Sequence, residues 1–172
     1  MQRLAIQRGM SSTLFLTLVA CAAVFVWVSS QALPEVVASH FGASGSANGF
    51  MPRGFYVKFM LGFVVALPLI LVWVPNFTFR HSRIRINLPH REYWLAPERR
   101  ADTIEFLCRH SVRMGALLVV FLSYVHWLVV RANAVVPTNL SSSWFIGGLV
   151  AFVGCTVVWA WMLFGRFRNV PR

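Results

Sequence analysis

One histidine follows the first apolar stretch of the chain, in a segment otherwise poor in reactive side chains. Neutral imidazole binds metal ions or exchanges a proton near pH of about 6.5, and His40 is suited to either role. Glu35 lies shortly before it, and His126 occurs within a later apolar stretch. These residues and Asn48 form our first candidate site, with metal binding left open. The alternative is that the His40 ring bonds a backbone carbonyl and fixes a loop.

A run rich in arginine follows the second apolar stretch. Arginine and isoleucine alternate over residues 83–86, which is typical of a strand or an extended interfacial segment. Near an anionic leaflet each charge is worth about 1 kcal/mol, so we expect contacts with anionic lipid. The alternative is that the charges only retain this segment on one side of the membrane. The candidate lipid contacts are Arg80, Arg83, Arg85 and Arg91.

An aromatic pair lies further along the same polar segment. Tyr93 and Trp94 are close in sequence to Arg99, and together they are a candidate patch for docking a protein partner. The same residues could instead anchor the segment at the membrane interface. Pro97 suits the first position of a helix, and Glu98 then favours its positive end.

Several chemistries leave no signature in the sequence. No GxSxG, P-loop, HExxH or dinucleotide-binding fingerprint occurs, so an enzyme is not indicated. A haem between helices usually needs two facing histidines, and only His126 lies in an apolar stretch. Pumps keep carboxylates at mid-membrane, and the apolar stretches contain none. Because the nucleotide-binding fingerprints and a second histidine for haem are missing from the sequence, we expect no cofactor.

The composition places these candidate residues in a membrane protein. The chain of 172 residues is 58% apolar and 12% charged, outside the range of ordinary soluble domains. Stretches of about 20 apolar residues can cross a bilayer, and four occur at about 12–33, 55–74, 114–130 and 143–164. We predict one membrane domain over residues 1–172, an all-α four-helix bundle with an outer loop at 34–54 and a cytoplasmic loop at 75–113.

Charge predicts the direction of the spans. The net charge of +11 suggests nucleic acid in a soluble protein, but here the basic residues lie in patches between apolar stretches. All 16 basic residues except Arg53, Lys58 and Arg131 fall at the termini or in the long middle segment. Basic residues stay on the cytoplasmic side, so both termini should face the cytoplasm. The alternative for the first stretch is a signal peptide cleaved after residues 30–32.

Small residues predict how the helices pack. Between membrane helices, small side chains allow close approach of the backbones. They recur at intervals of four in three spans, and we expect these stripes to be packing faces or, alternatively, a homodimer interface. Pro68 should kink the second span. The stripes are Thr13, Thr17 and Cys21, then Gly62 and Ala66, then Gly147, Ala151 and Cys155.

The outer loop begins with signals typical of a helix. Pro34 suits a first helical position, Glu35 its positive end and Gly42 its termination. We predict a short helix lying at the membrane surface up to Phe41. Gly45 and the Asn48-Gly49 pair then indicate turns.

This loop resembles a known pattern. Residues Leu33, Pro34, His40, Phe41, Gly45 and Gly49 resemble the "LP…HF…G…G" outer loop of a bacterial membrane-protein family of unknown function. The family is distantly related to the SdpI-like immunity proteins, which have more spans. The resemblance covers about residues 14–74 and implies an inner-membrane protein without assigned catalytic residues.

Three functions remain open at this level. The first is a non-enzymatic interaction, immunity or signalling component of the bacterial inner membrane. The second is a small transporter or lipid-handling protein, and the third is a metal-dependent enzyme at the outer face. The expected partners are the lipid bilayer, anionic lipid and a membrane or cytoplasmic protein, but not nucleic acid.

Overall fold

A computed structural model describes the backbone of residues 2–81 and 86–170 and the side chains of residues 12–80 and 86–170. Within this part of the chain, four helices are long and apolar enough to cross a membrane. These are α1 (Gln2–Ser29), α2 (Arg53–His81), α4 (Pro97–Asn133) and α5 (Ser142–Arg168). Helices α2, α4 and α5 contain the predicted second, third and fourth stretches, and α1 with the 3-10 turn Ser30–Ala32 covers the first as far as Ala32. The predicted number of long apolar helices, four, is therefore confirmed.

The core lies among α1, α2 and α4, which make most of the contacts between helices. Aliphatic side chains from each helix meet there, and Val26, Val64 and Val119 have no exposed surface. On α1 the buried residues Phe15, Val19 and Val26 recur at helical spacing. Helix α5 packs chiefly against α4. The predicted bundle is therefore a three-helix core with a fourth helix attached to one side.

The small-residue stripes are not the packing faces, so this prediction is wrong. Thr13 and Cys21 are exposed on α1. A Cβ added at Gly62 or Gly147 would meet nothing within 4 Å. Valine and aromatic side chains instead fill the space between the core helices, because they bury more apolar surface per residue.

The predicted short helix after the first span is also wrong. Residues Val36–Phe41 form strand β1 and residues Ala47–Pro52 form strand β2, paired antiparallel. Val37 lies opposite Met51 and packs into the helical core, whereas Val36 is exposed. Burial alternates along β2, as expected for a strand with one covered face. The fold is thus helical with one β-hairpin rather than all-α.

Between α2 and α4, the described residues 86–96 contain one helical turn, α3 (Arg91–Trp94). Arg80 lies in the last turn of α2, not in a strand. Helix α4 begins at Pro97, as the sequence predicted. Arg83 and Arg85, the other two arginines of the predicted extended run, lie outside the described residues.

Candidate functional site

Asn133, at the last position of α4, attaches the hairpin to the core. Its Oδ1 accepts a hydrogen bond from the Ala38 amide at 2.9 Å, and its Nδ2 donates to the Ala38 carbonyl at 2.9 Å. The same Nδ2 donates to the Val129 carbonyl one turn earlier, which holds the amide in place. The side-chain amide of Asn133 thereby makes the two hydrogen bonds with Ala38 that the backbone of a neighbouring strand would make.

Two further contacts fix the ends of the hairpin. At its base, the Arg53 guanidinium donates to the Leu33 carbonyl at 2.9 Å. At its tip, the Gly45 carbonyl accepts from the Leu140 amide at 2.9 Å. Gly45 has a φ of +83°, and a Cβ there would overlap the Leu140 carbonyl. Only glycine combines that backbone conformation with so close an approach.

The exposed surface of the hairpin carries three of the four candidate residues. His40 Nδ1 donates to Asn48 Oδ1, and both side chains are exposed. A Cβ at Gly49 would lie 2.8 Å from the Cβ of His40, so glycine leaves room for the histidine. The Glu35 side chain is also exposed. Phe50, 61% exposed, adds a large apolar group to this surface.

His126, the fourth candidate, is fully buried beneath the hairpin and bonds to other partners. Its Nε2 lies 2.9 Å from Ser29 Oγ, and its Nδ1 lies 2.9 Å from the Tyr56 hydroxyl. The ring also stacks on Tyr56 and meets the edge of Phe25. The structure therefore pairs His40 with Asn48 and His126 with α1 and α2. Among the described residues, no three His, Cys, Asp or Glu side chains are grouped to hold a metal ion.

The Phe25 carbonyl determines the direction of the hydrogen bond between Ser29 and His126. Ser29 Oγ lies 2.6 Å from the Phe25 carbonyl, which can only accept, so the serine hydroxyl donates there. Ser29 then accepts from His126 Nε2–H, and in the tautomer that carries its proton on Nε2 the Nδ1 atom accepts from the Tyr56 hydroxyl. In this arrangement every donor of the hydrogen-bonded cluster has an acceptor. The serine is not activated as a nucleophile in this arrangement, because His126 is its donor and not its base. The cluster joins three helices.

The candidate protein-docking patch lies at the opposite end of the bundle. The Arg99 guanidinium lies 4.0 Å from the centroid of the Tyr93 ring. Trp94 packs edge-to-face against Phe167 of α5, and its carbonyl accepts from Thr103 Oγ1 at 2.8 Å. This aromatic cluster connects α3 to both α4 and α5, a contact that the local sequence did not indicate. Arg80 and Arg91, the described candidates for lipid contact, are exposed.

Polar residues at the hairpin end of the long helices are missing from the predicted site. Ser29, Tyr56 and Asn133 all lie at the hairpin end of the bundle, and each bonds to a residue on another element. The available signal was their position, because a polar side chain beside an apolar stretch needs a partner when it is buried.

The comparisons with known proteins give one partial match and no activity. A protein-family model described as "Domain of unknown function (DUF1648)" matches residues 16–72. This range includes most of the apolar part of α1, the whole hairpin and the first two thirds of α2. No curated protein and no solved structure matches the chain significantly.

Proposed function

We propose that this protein is a non-enzymatic interaction component of the bacterial inner membrane, and that the β-hairpin engages a protein partner outside the cytoplasm. The observation that supports this is the rigid attachment of an exposed hairpin. Contacts from Asn133, Arg53 and Leu140 fix it along its length. A loop that only connected two spans would not need such contacts, and ordered loops often carry binding residues.

The exposed hairpin surface has the composition of a small recognition surface. It presents the aromatic ring of Phe50, the aliphatic side chain of Val36 and the hydrogen-bonded pair of His40 and Asn48. Aromatic residues at the centre of an interface contribute much of the binding free energy, and fixed polar groups supply specificity.

The packing of the core favours this role over transport. The middle of the space between α1, α2 and α4 is filled by valines without exposed surface. A transport path through that space would need polar or ionisable side chains at mid-membrane. The described residues of the core are aliphatic at that depth.

The proposed orientation has both termini in the cytoplasm. It follows the distribution of basic residues, of which only Arg53, Lys58 and Arg131 lie at the hairpin end. We expect a membrane-impermeant thiol reagent to label Ser44→Cys in intact cells and Glu92→Cys only after lysis, with the three native cysteines replaced by serine. The reverse pattern would refute the proposed orientation.

Site-specific photo-crosslinking in cells tests the proposed partner surface. We expect a benzophenone side chain at position 50 to give a discrete protein adduct. The control is position 136, because Val136 is 99% exposed in the other connection at the same end of the bundle. His40→Ala combined with Asn48→Ala should reduce the adduct. Adducts of equal yield at both positions, or none at position 50, would contradict the proposal.

A further inference from the structure

A groove lies on α5 near its last turn, at the end of the bundle opposite the hairpin. Its volume of about 410 Å³ falls within the range of small-molecule sites. One wall is a proline of the segment that precedes α3, and the other lining residues belong to α5. We call it the Arg168 groove; its lining residues are Pro89, Trp161, Phe164, Gly165 and Arg168.

Helical spacing places the α5 residues of this groove on one face. Phe164, Gly165 and Arg168 lie three, four and seven positions after Trp161, so all of them point within a sector of about 100°. Trp161 is 77% exposed and Phe164 is 64% exposed, so this face belongs to the lipid-facing surface. Gly165 lies beside the indole, because a Cβ there would be 3.8 Å from Trp161 Cδ1. The face therefore passes from aromatic groups to a cation about 10 Å further along the helix axis.

Arg168 is a wall of the groove and has no counter-ion among the described residues. The ion pair within that part of the chain joins Arg109 to Glu105, and Arg168 makes no ring contact or hydrogen bond there. Arg166, in the same turn, differs because its guanidinium lies 4.3 Å from the centroid of the Phe106 ring on α4. The two arginines thus lie on different sides of α5. A cation at the edge of the hydrocarbon region is stabilised by an anion, and lipid phosphate is available there.

We propose that the Arg168 groove binds an anionic phospholipid, with its phosphate at Arg168 and an acyl chain against Trp161 and Phe164. Charge complementarity selects this ligand, because the cation is part of the wall of the apolar groove. The proposal holds whichever leaflet lies at this end, so it does not depend on the proposed orientation or protein partner.

Two other grooves beside α5 provide the comparison. One lies between α4 and α5 and has a volume of about 630 Å³, and the other lies between α2 and α5 and has a volume of about 410 Å³. Their described lining residues include no arginine, lysine, aspartate or glutamate. These two grooves should accept acyl chains without preference for the headgroup.

Native mass spectrometry of the purified protein tests this proposal. The protein is delipidated in detergent and incubated with equal amounts of phosphatidylglycerol and phosphatidylethanolamine. We expect a retained lipid adduct in which phosphatidylglycerol is preferred. Arg168→Gln should reduce that preference about fivefold, the equilibrium ratio for one charge contact of about 1 kcal/mol. Arg166→Gln removes the same charge from the same turn, but from the other side of α5, and should leave the preference unchanged.

Filling the groove tests the location of the lipid. Gly165→Leu places a side chain beside Trp161 and should remove the preferred adduct, whereas Gly147→Leu fills the groove between α4 and α5 and should keep it. A Cβ at either glycine meets no atom closer than 3.8 Å, so both variants fit the fold. If Gly165→Leu unfolds, Trp161→Ala removes the exposed apolar wall instead and should also lower the amount of retained phosphatidylglycerol.

Four results would overturn the proposal. The first is a wild-type protein without headgroup preference, and the second is an Arg168→Gln variant that preserves the preference. The third is an equal loss of preference in Arg166→Gln, because the effect would then depend on net charge and not on the groove. The fourth is a folded Gly165→Leu or Trp161→Ala variant that retains the same adduct as wild type.

Discussion

Removing the Asn133 amide should release the hairpin from α4 while the helices stay folded. Ala38 is 1% exposed, so water cannot readily replace the two bonds that its backbone makes with Asn133. Each lost bond of this kind costs about 1 kcal/mol or more when the remaining group is buried. For Asn133→Ala we expect a local loss of about 2–3 kcal/mol in the free energy of opening.

Hydrogen exchange measures this loss directly. The protein is placed in lipid nanodiscs, and exchange is followed by mass spectrometry in peptides that cover residues 33–53. When exchange occurs through local opening, its rate follows the opening free energy. The Ala38 amide should then exchange on the order of 10²-fold faster in Asn133→Ala. Asn133→Asp should not restore protection, because a carboxylate cannot donate to the Ala38 carbonyl.

Asn76→Ala is the matched control. This asparagine also bonds to the carbonyl four residues earlier and to another helix, but it lies at the opposite end of the bundle. We expect unchanged exchange across the hairpin in this variant. If hairpin protection in Asn133→Ala equalled that in wild type and in Asn76→Ala, the Asn133 amide would not attach β1 to α4.

Three further predictions concern single contacts. Tyr56→Phe should lower the free energy of unfolding in detergent by about 1–3 kcal/mol, and the loss should be smaller when His126 is already replaced by leucine. Equal losses in the two backgrounds would exclude coupling between these side chains. Gly148→Ala should lower the melting temperature because the added Cβ would overlap the ring of Tyr124 on α4, whereas Gly147→Ala should leave it unchanged. Equal melting temperatures for the two variants would contradict the close packing of α5 on α4. Gly45→Ala should also lower the melting temperature, because the φ of +83° at this position is unfavourable for alanine. An unchanged melting temperature would mean that the contact of the hairpin tip with residues 139–140 does not stabilise the protein.

The spans could be predicted because they depend on the sequence within one element. A bilayer needs about 20 apolar residues in succession, whatever the helix later packs against. The start of α4 at Pro97 was predictable for a similar reason, since proline at the first helical position sacrifices no hydrogen bond. Neither conclusion requires knowledge of a distant residue.

The hairpin could not be predicted from local signals because those signals agreed with a helix. Pro34, Glu35 and Gly42 are arranged as at the two ends of a short helix. The strand is instead stabilised by partners far along the chain, with Asn133 beside Ala38 and Leu140 beside Gly45. Tertiary contacts of this kind commonly override local preference. The predicted grouping of His40 with His126 fails for the same reason. The partners of His126 come from α1 and α2, and not from the hairpin that carries His40.

The small residues of α5 show why the packing faces were also missed. Gly148 approaches the Tyr124 ring, yet its neighbour Gly147, a member of the predicted stripe, contacts nothing within 4 Å. Adjacent helical positions differ by about 100° in direction, so one position separates a packed face from an open one. The stripe residues Gly147, Ala151 and Cys155 instead line the groove between α4 and α5. Small side chains thus create space beside α4 that lipid must fill, because a bilayer leaves no vacuum against an apolar surface. Substituting Ala151 by leucine should therefore reduce retained lipid without weakening the contact between α4 and α5.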